Sequence, residues 1–161
     1  MVNKVCADTG PILHLQEINK VKLLKIFKKI FISKYVKEEL SKYKIEKLPK
    51  NFELEKINKN QVALITTKYN LDIGESSIIW LCKSLNIPLI LTDDLDAREI
   101  AKHLDLKPIG TIGIIVRCFR EKIINQKESI KILKEIYDES SLFVTSELIN
   151  YAVSEIKKFS R

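Results

Sequence analysis

Apolar positions recur along the chain in two periods. Short unbroken runs read as buried strands, and stretches with apolar residues three or four apart read as amphipathic helices. Val2, Val5, Cys6 and Ala7 predict a strand over 1–7 that ends at Asp8. Thr9-Gly10-Pro11 is then a turn, with Pro11 suited to the first position of a helix. Over 12–29 the spacing is helical, and Asn19 divides the stretch into two helices. Ile30-Phe31-Ile32 is a second strand. Ser33 is placed to cap a helix whose apolar face is Tyr35, Val36, Leu40 and Tyr43.

The pattern is weakest over 48–69. Residues 52–57 alternate faintly, and 61–69 have helical spacing. Asn70-Leu71-Asp72-Ile73-Gly74 is a loop before a helix over 75–85. Pro88-Leu89-Ile90-Leu91-Thr92 is a buried strand that runs straight into Asp93, Asp94 and Asp96. A helix over 95–104, a short strand over 107–109 and helices over 110–120, 126–137 and 145–159 complete the chain. Strands alternating with helices predict βαβ units in an α/β fold, with right-handed crossovers placing helices on both faces of a parallel sheet. No repeat, low-complexity tract or linker interrupts the pattern, so one domain over 1–161 is expected.

Composition narrows the class of protein. Apolar residues make up 45% of the 161, which excludes a disordered chain. The net charge is +7, carried by 24 Lys and 4 Arg. Such a balance suits nucleic acid or another anionic partner, and equally a Lys-rich solubilising surface. Cys6, Cys82 and Cys118 form no CxxC pair, and Cys6 and Cys82 fall in apolar patterns that predict buried free thiols. Residues 1–10 lack the apolar core of a signal peptide, and no apolar run approaches a membrane span. A cytoplasmic protein with no membrane contact is expected.

Several chemistries are absent. There is no GxGxxG, no P-loop and no GxSxG elbow. The two histidines are His14 and His103, and His14 sits near the strand-end acids, where a substrate contact is the lesser reading beside that of an ordinary helix residue. Carboxylates remain. Asp8 and the Asp93-Asp94 pair end strands, Glu38 and Glu39 lie one turn into a helix, and Glu75 opens another. Ligands at the carboxyl ends of parallel strands are the rule in open α/β sheets. Carboxylate sites without His or Cys select hard cations such as Mg²⁺ or Mn²⁺, which activate water and stabilise charge on a phosphodiester. Each acid also has a plainer role available. Asp94 is placed to cap a helix, Asp72 and Glu75 to form a capping box, Glu39 to pair with a nearby Lys, and Asp96 and Glu99 to oppose a helix dipole. Asp8 has no cap role in view.

Taken in order, Asp8-Thr9-Gly10-Pro11-Ile12, Tyr35-Val36-Lys37-Glu38-Glu39-Leu40, Leu71-Asp72-Ile73-Gly74-Glu75 and Leu91-Thr92-Asp93-Asp94 with Arg98 resemble the motifs of a PIN domain. Gly110-Thr111-Ile112-Gly113 is similar to a prokaryotic subgroup that includes toxins of type II toxin–antitoxin pairs. The resemblance implies a three-layer α/β/α sandwich around a short, mostly parallel sheet. It implies a Mg²⁺- or Mn²⁺-dependent endoribonuclease that hydrolyses RNA, with Asp8, Glu39, Glu75, Asp93 and Asp94 as metal ligands. Asp8, Glu39, Glu75 and Asp94 would be the catalytic set. Thr9 would support Asp8, and Thr9 and Arg98 would contact substrate. Many PIN domains have Asp where Glu75 stands. The Thr-x-Asp pattern ranks Asp94 above Asp93 as the ligand, with Asp96 third. An antitoxin partner and a homodimer built on apolar terminal helices are further expectations. A non-catalytic PIN-like module that binds RNA or protein is the alternative. Receiver-like and Toprim-like sites also place acids at strand ends, but this chain lacks their full residue sets.

Overall fold

The computed structural model describes residues 4–159. These form five strands, eight α-helices and one 3-10 helix in the order β1 (Lys4–Ala7), α1 (Thr9–Glu17), the 3-10 helix (Val21–Ile26), β2 (Lys29–Ile32), α2 (Lys34–Lys42), β3 (Phe52–Leu54) and α3 (Lys59–Tyr69). Next come α4 (Ile73–Ser84), β4 (Leu89–Leu91), α5 (Leu95–His103), β5 (Lys107–Ile109), α6 (Thr111–Arg120), α7 (Gln126–Glu139) and α8 (Ser146–Phe159). The expected strand over 1–7 is present from Lys4, and residues 1–3 lie outside the described residues.

The sheet order is β3-β2-β1-β4-β5, and every pairing is parallel. The chain winds outward from β1 to β2 and β3, then crosses back to β4 and β5. Its direction therefore reverses between β1 and β4. Helix α4 lies against both of those strands and packs with α3 and α5. Helix α1 packs with α2 and with the α6–α7–α8 group on the other face. The architecture is a three-layer α/β/α sandwich, and its sheet is wholly parallel.

Burial follows the apolar runs. Val5, Cys6 and Ala7 in β1, Ile30 in β2 and Leu91 in β4 are fully buried, as central strands covered on both faces must be. The weakly patterned β3 is only partly covered because it is an edge strand. Cys6, Cys82 and Cys118 are free and buried. The Sγ atoms of Cys82 and Cys118 lie 3.6 Å from the carbonyls of Leu89 and Leu23. Burial pushes the Cys118 thiol up to about 12, and the neighbouring Cys6 and burial push Cys82 up strongly. These are inert core side chains.

Two helix starts differ from expectation. Helix α1 begins at Thr9, not near Ile12, because Asp8 caps it by accepting from Thr9 N at 2.9 Å. Pro11 is its third residue, where the missing N–H is still one that no helical carbonyl would take. Helix α4 begins at Ile73 because Asp72 and Glu75 close a full capping box. Asn19 does divide the 12–29 stretch, at φ 58°, although its second half is a 3-10 helix. Among the described residues no helix is long and apolar enough to cross a membrane.

Ile90 sits in β4 at 1% exposure, between β1 and β5. Ile90→Ala is expected to lower the unfolding free energy by about 2–5 kcal/mol, read from a urea midpoint at unchanged slope.

Candidate active site

The carboxyl ends of β1 and β4 lie side by side where the winding direction reverses, the usual position of a ligand site in an open parallel sheet. Asp8 N–H donates to Leu91 O at 2.8 Å, which ties the two strand ends together. The Asp8 carboxylate is 8% exposed. One of its oxygens accepts from Thr9 N, and the other accepts from Thr92 Oγ1 at 3.2 Å. Thr92 Oγ1 also accepts from Asp94 N at 3.3 Å, so one buried hydroxyl bridges Asp8 and the Asp94 segment. Thr9 Oγ1 is buried and has no partner.

Three more segments bring acids to Asp8. Helix α2, capped by Ser33 accepting from Val36 N, carries Glu39 in its second turn. The Ser33 and Ser77 hydroxyls meet at 2.7 Å and hold α2 against α4, which carries Glu75. Gly74, buried in the first turn of α4, faces the Glu39 side chain. A methyl group there would lie 3.4 Å from Asp72 Oδ1 and 3.6 Å from Glu39 Oε2. Asp94 caps α5 by accepting from Ala97 N at 2.8 Å.

The electrostatics show which acids share the space. Burial pushes Asp8 up to about 7. The bond from Thr9 N opposes this, Asp72 and Glu39 push it further up, and Thr92 holds it down. Glu75 rises to about 8, through burial first and then through Asp72, Asp94 and Asp8. Asp8, Glu39, Glu75 and Asp94, from four segments, thus lie within electrostatic reach of Asp8 or of Glu75. Asp72 joins them. The sequence pattern shows its capping role, and that role conceals the charge it adds.

Asp93, an expected ligand, is engaged elsewhere. It accepts from Thr111 N at 2.7 Å and Thr111 Oγ1 at 2.6 Å, and pairs with His14 Nδ1 at 2.7 Å. It therefore ties the end of β4 to α1 and to the start of α6. Gly110 leaves room here, because a Cβ would lie 2.7 Å from Asp93 Oδ1 and 2.9 Å from Arg98 Nη1 and would displace both side chains. Arg98 donates from Nη1 to Thr92 O at 3.2 Å, which braces the Thr92 turn beside the acids. Nothing in the sequence pattern marks His14 or Thr111 as partners of Asp93. Glu38 and Asp96 are exposed.

Among the described residues no three Asp, Glu, His or Cys side chains already converge as a metal-holding set. The donor chemistry nevertheless fits a hard divalent cation. The acids are oxygen donors without thiol or imidazole, and burial, reinforced by the neighbouring carboxylates, makes two of them hold protons near neutrality.

A wholly parallel α/β/α sandwich with acids from four segments at the β1/β4 reversal is the arrangement of a nuclease-type fold. The family model for DUF3368, a PIN domain, matches residues 4–158, and the chain belongs to that family. PIN domains are generally nucleases that act on nucleic acid and use divalent metals. No curated protein and no solved structure matches the chain.

The raised pKa values set a pH dependence. A carboxyl whose folded value lies above its unfolded one contributes stability that is complete below the unfolded value and lost as pH rises through the folded one. For Asp8 that window runs from 3.8 to about 7, and for Glu75 from 4.5 to about 8. In EDTA above that window, Asp8→Asn, which keeps the cap, is expected to exceed the parent in stability by up to about 4 kcal/mol. Below the window the two should converge. Chemical denaturation of both proteins across the pH range measures the difference, and a constant difference would contradict the assignment.

Proposed function

We propose that the protein is a divalent-metal-dependent endoribonuclease, working as one domain, with Asp8, Glu39, Glu75 and Asp94 as its catalytic acids. The observation that supports this reading most strongly is the buried Asp8 at the β1/β4 reversal, with acids from three other segments raising its proton affinity or that of its neighbour Glu75. A bound Mg²⁺ or Mn²⁺ would supply Lewis-acid activation of water and of the scissile phosphate. Asp8 and Glu39 would hold it, with Glu75 and Asp94 completing the oxygen donors.

The chain's own groups divide the remaining work. Thr92 and Thr9 N–H orient both oxygens of Asp8. Thr9 Oγ1 is buried without a partner, a spare donor on the residue that follows Asp8. Arg98 holds the Thr92 carbonyl and contributes positive charge next to the acids. Asp93 acts through His14 and Thr111 to fix the β4 turn, so we assign it to positioning and take Asp94 as the ligand.

Metal-dependent cleavage of RNA is the direct test. With Mn²⁺ the parent should cut single-stranded RNA, EDTA should abolish cutting, and Asp8→Asn should cut at least about a hundredfold more slowly. Mn²⁺ should also raise the melting temperature of the parent and leave that of Asp8→Asn nearly unchanged. Full activity of Asp8→Asn would overturn the reading. By contrast, Asp93→Asn is expected to cost about 1–3 kcal/mol of stability, because it weakens the acceptors for Thr111 and His14.

The toxin of a toxin–antitoxin pair is the cellular role we infer, with an antitoxin protein and a second copy of the chain as partners and the cytoplasm as its place. The similarity of the Gly110-Thr111-Ile112-Gly113 motif to that subgroup is its support. A small gene for an antitoxin beside this one is the expected observation.

A further inference from the structure

The lysines are not gathered around the acids. An open cleft of about 860 Å³ lies at the other end of the sheet, with Lys22, Lys25, Lys28, Lys47 and Lys50 along its walls and no carboxylate in its lining. Lys28 and Asn51 immediately precede β2 and β3, so the cleft sits at the amino ends of the strands. The acids occupy the carboxyl ends, about 13 Å further along a four-residue strand such as β2. All five lysines are exposed. Among the described residues none of them pairs with a carboxylate.

The cleft is held in shape. Asn51 Nδ2 donates to Leu24 O at 3.1 Å and to Phe27 O at 2.8 Å, which fastens the loop carrying Lys47 and Lys50 to the segment carrying the other three. Lys22 and Lys25 are one turn apart on the 3-10 helix, so they project in the same direction about 6 Å apart. Val21, Phe27, Leu48 and Pro49 give the floor apolar surface.

A second cleft of about 500 Å³ shares Leu48, Pro49 and Lys50 with the first. It continues along the edge strand β3 to Leu54 and to Lys37 on α2, the helix that also carries Glu39. Glu46 and Glu53 line this part, and Glu53 is neutralised by Lys29 at 2.6 Å. The two clefts adjoin at Leu48, Pro49 and Lys50, and the second extends along the sheet edge toward the acid-bearing end. The five lysines of the first, unpaired among the described residues and set beside apolar surface, suit a polyanion that also carries flat bases. A positive groove with apolar surface that tracks a backbone is how single strands are held without sequence preference.

We propose that the lysine cleft is a second binding site for single-stranded RNA. It grips the sugar-phosphate backbone away from the cut, and the strand follows the β3 edge to the acids. This rests on the ribonuclease reading for the identity of the polymer. The cleft then sets affinity for long RNA and leaves the chemical step alone.

The test compares two variants of equal charge. One carries Lys→Gln at 22, 25, 28, 47 and 50. The control carries Lys→Gln at 127, 131, 134, 157 and 158, exposed positions on α7 and α8. Fluorescence anisotropy with long single-stranded RNA in EDTA reads binding without cleavage. The cleft variant should bind at least about tenfold more weakly, and its salt slope should flatten by as much as about 3.5, while the control stays within about twofold of the parent. In Mn²⁺ the cleft variant should show a raised KM for long RNA at unchanged kcat, and cut oligonucleotides too short to reach the cleft as the parent does. Equal weakening in the control overturns the proposal, as does failure of the parent to bind RNA. Polyglutamate that displaces RNA at equal charge concentration overturns it in favour of an acidic protein partner. RNA cut by the cleft variant with unchanged KM and salt slope removes the cleft and leaves the ribonuclease reading. RNA bound through the cleft but never cut does the reverse.

Discussion

A carboxylate buried at the end of a central strand is costly unless something compensates for its charge. Asp8 is such a group, and the structure around it depends on how that cost is met. Thr9 N–H and Thr92 Oγ1 satisfy its oxygens, and its own N–H binds the neighbouring strand end. These bonds stabilise the ionised form only in part, because burial outweighs them and Asp72 and Glu39 add to it. The same repulsion reaches Glu75. The polypeptide holds like charges together that would separate if stability alone were served, which is a common property of sites poised for a ligand.

Rigid neighbours make this arrangement possible. The Ser33–Ser77 contact ties α2 to α4, so the backbones that carry Glu39 and Glu75 cannot move apart without breaking a buried bond. Asp93 meets three donors at once and pins the β4 turn to α1 and α6. Gly110 leaves the space that Asp93 and Arg98 fill. Two adjacent aspartates thus have different work. Asp94 caps α5, and Asp93 ties the end of β4 to α1 and α6.

Much of the architecture was legible in the pattern of apolar residues, because parallel central strands must be apolar throughout and the helices must be amphipathic. Asp8, Glu39, Glu75 and Asp94 stood out since each ends a strand or lies near the start of a helix. Local chemistry obscured the start of α1, where Pro11 suggested a later beginning than the Asp8 cap imposes. The partners of Asp93 were illegible for a different reason. His14 is 79 residues away and Thr111 is 18 away, and neither separation leaves a periodic trace. Asp72 was hidden because one side chain serves as helix cap and as an added charge. The lysine cleft draws on 22–28 and on 47–51, at the edge of the least patterned stretch, and forms only when Asn51 joins them.

A divalent cation held by Asp8, Glu39, Glu75 and Asp94 would relieve the repulsion among them. If so, metal and protons compete for the same oxygens, and binding near neutral pH must expel protons from Asp8 and Glu75. Calorimetric titration of Mn²⁺ into the protein at pH 7, repeated in buffers of different ionisation enthalpy, counts those protons. The prediction is saturable binding with net proton release that falls in Glu75→Gln and is lost, with most of the affinity, in Asp8→Asn. Binding without proton release, or binding of equal strength in Asp8→Asn, would contradict it.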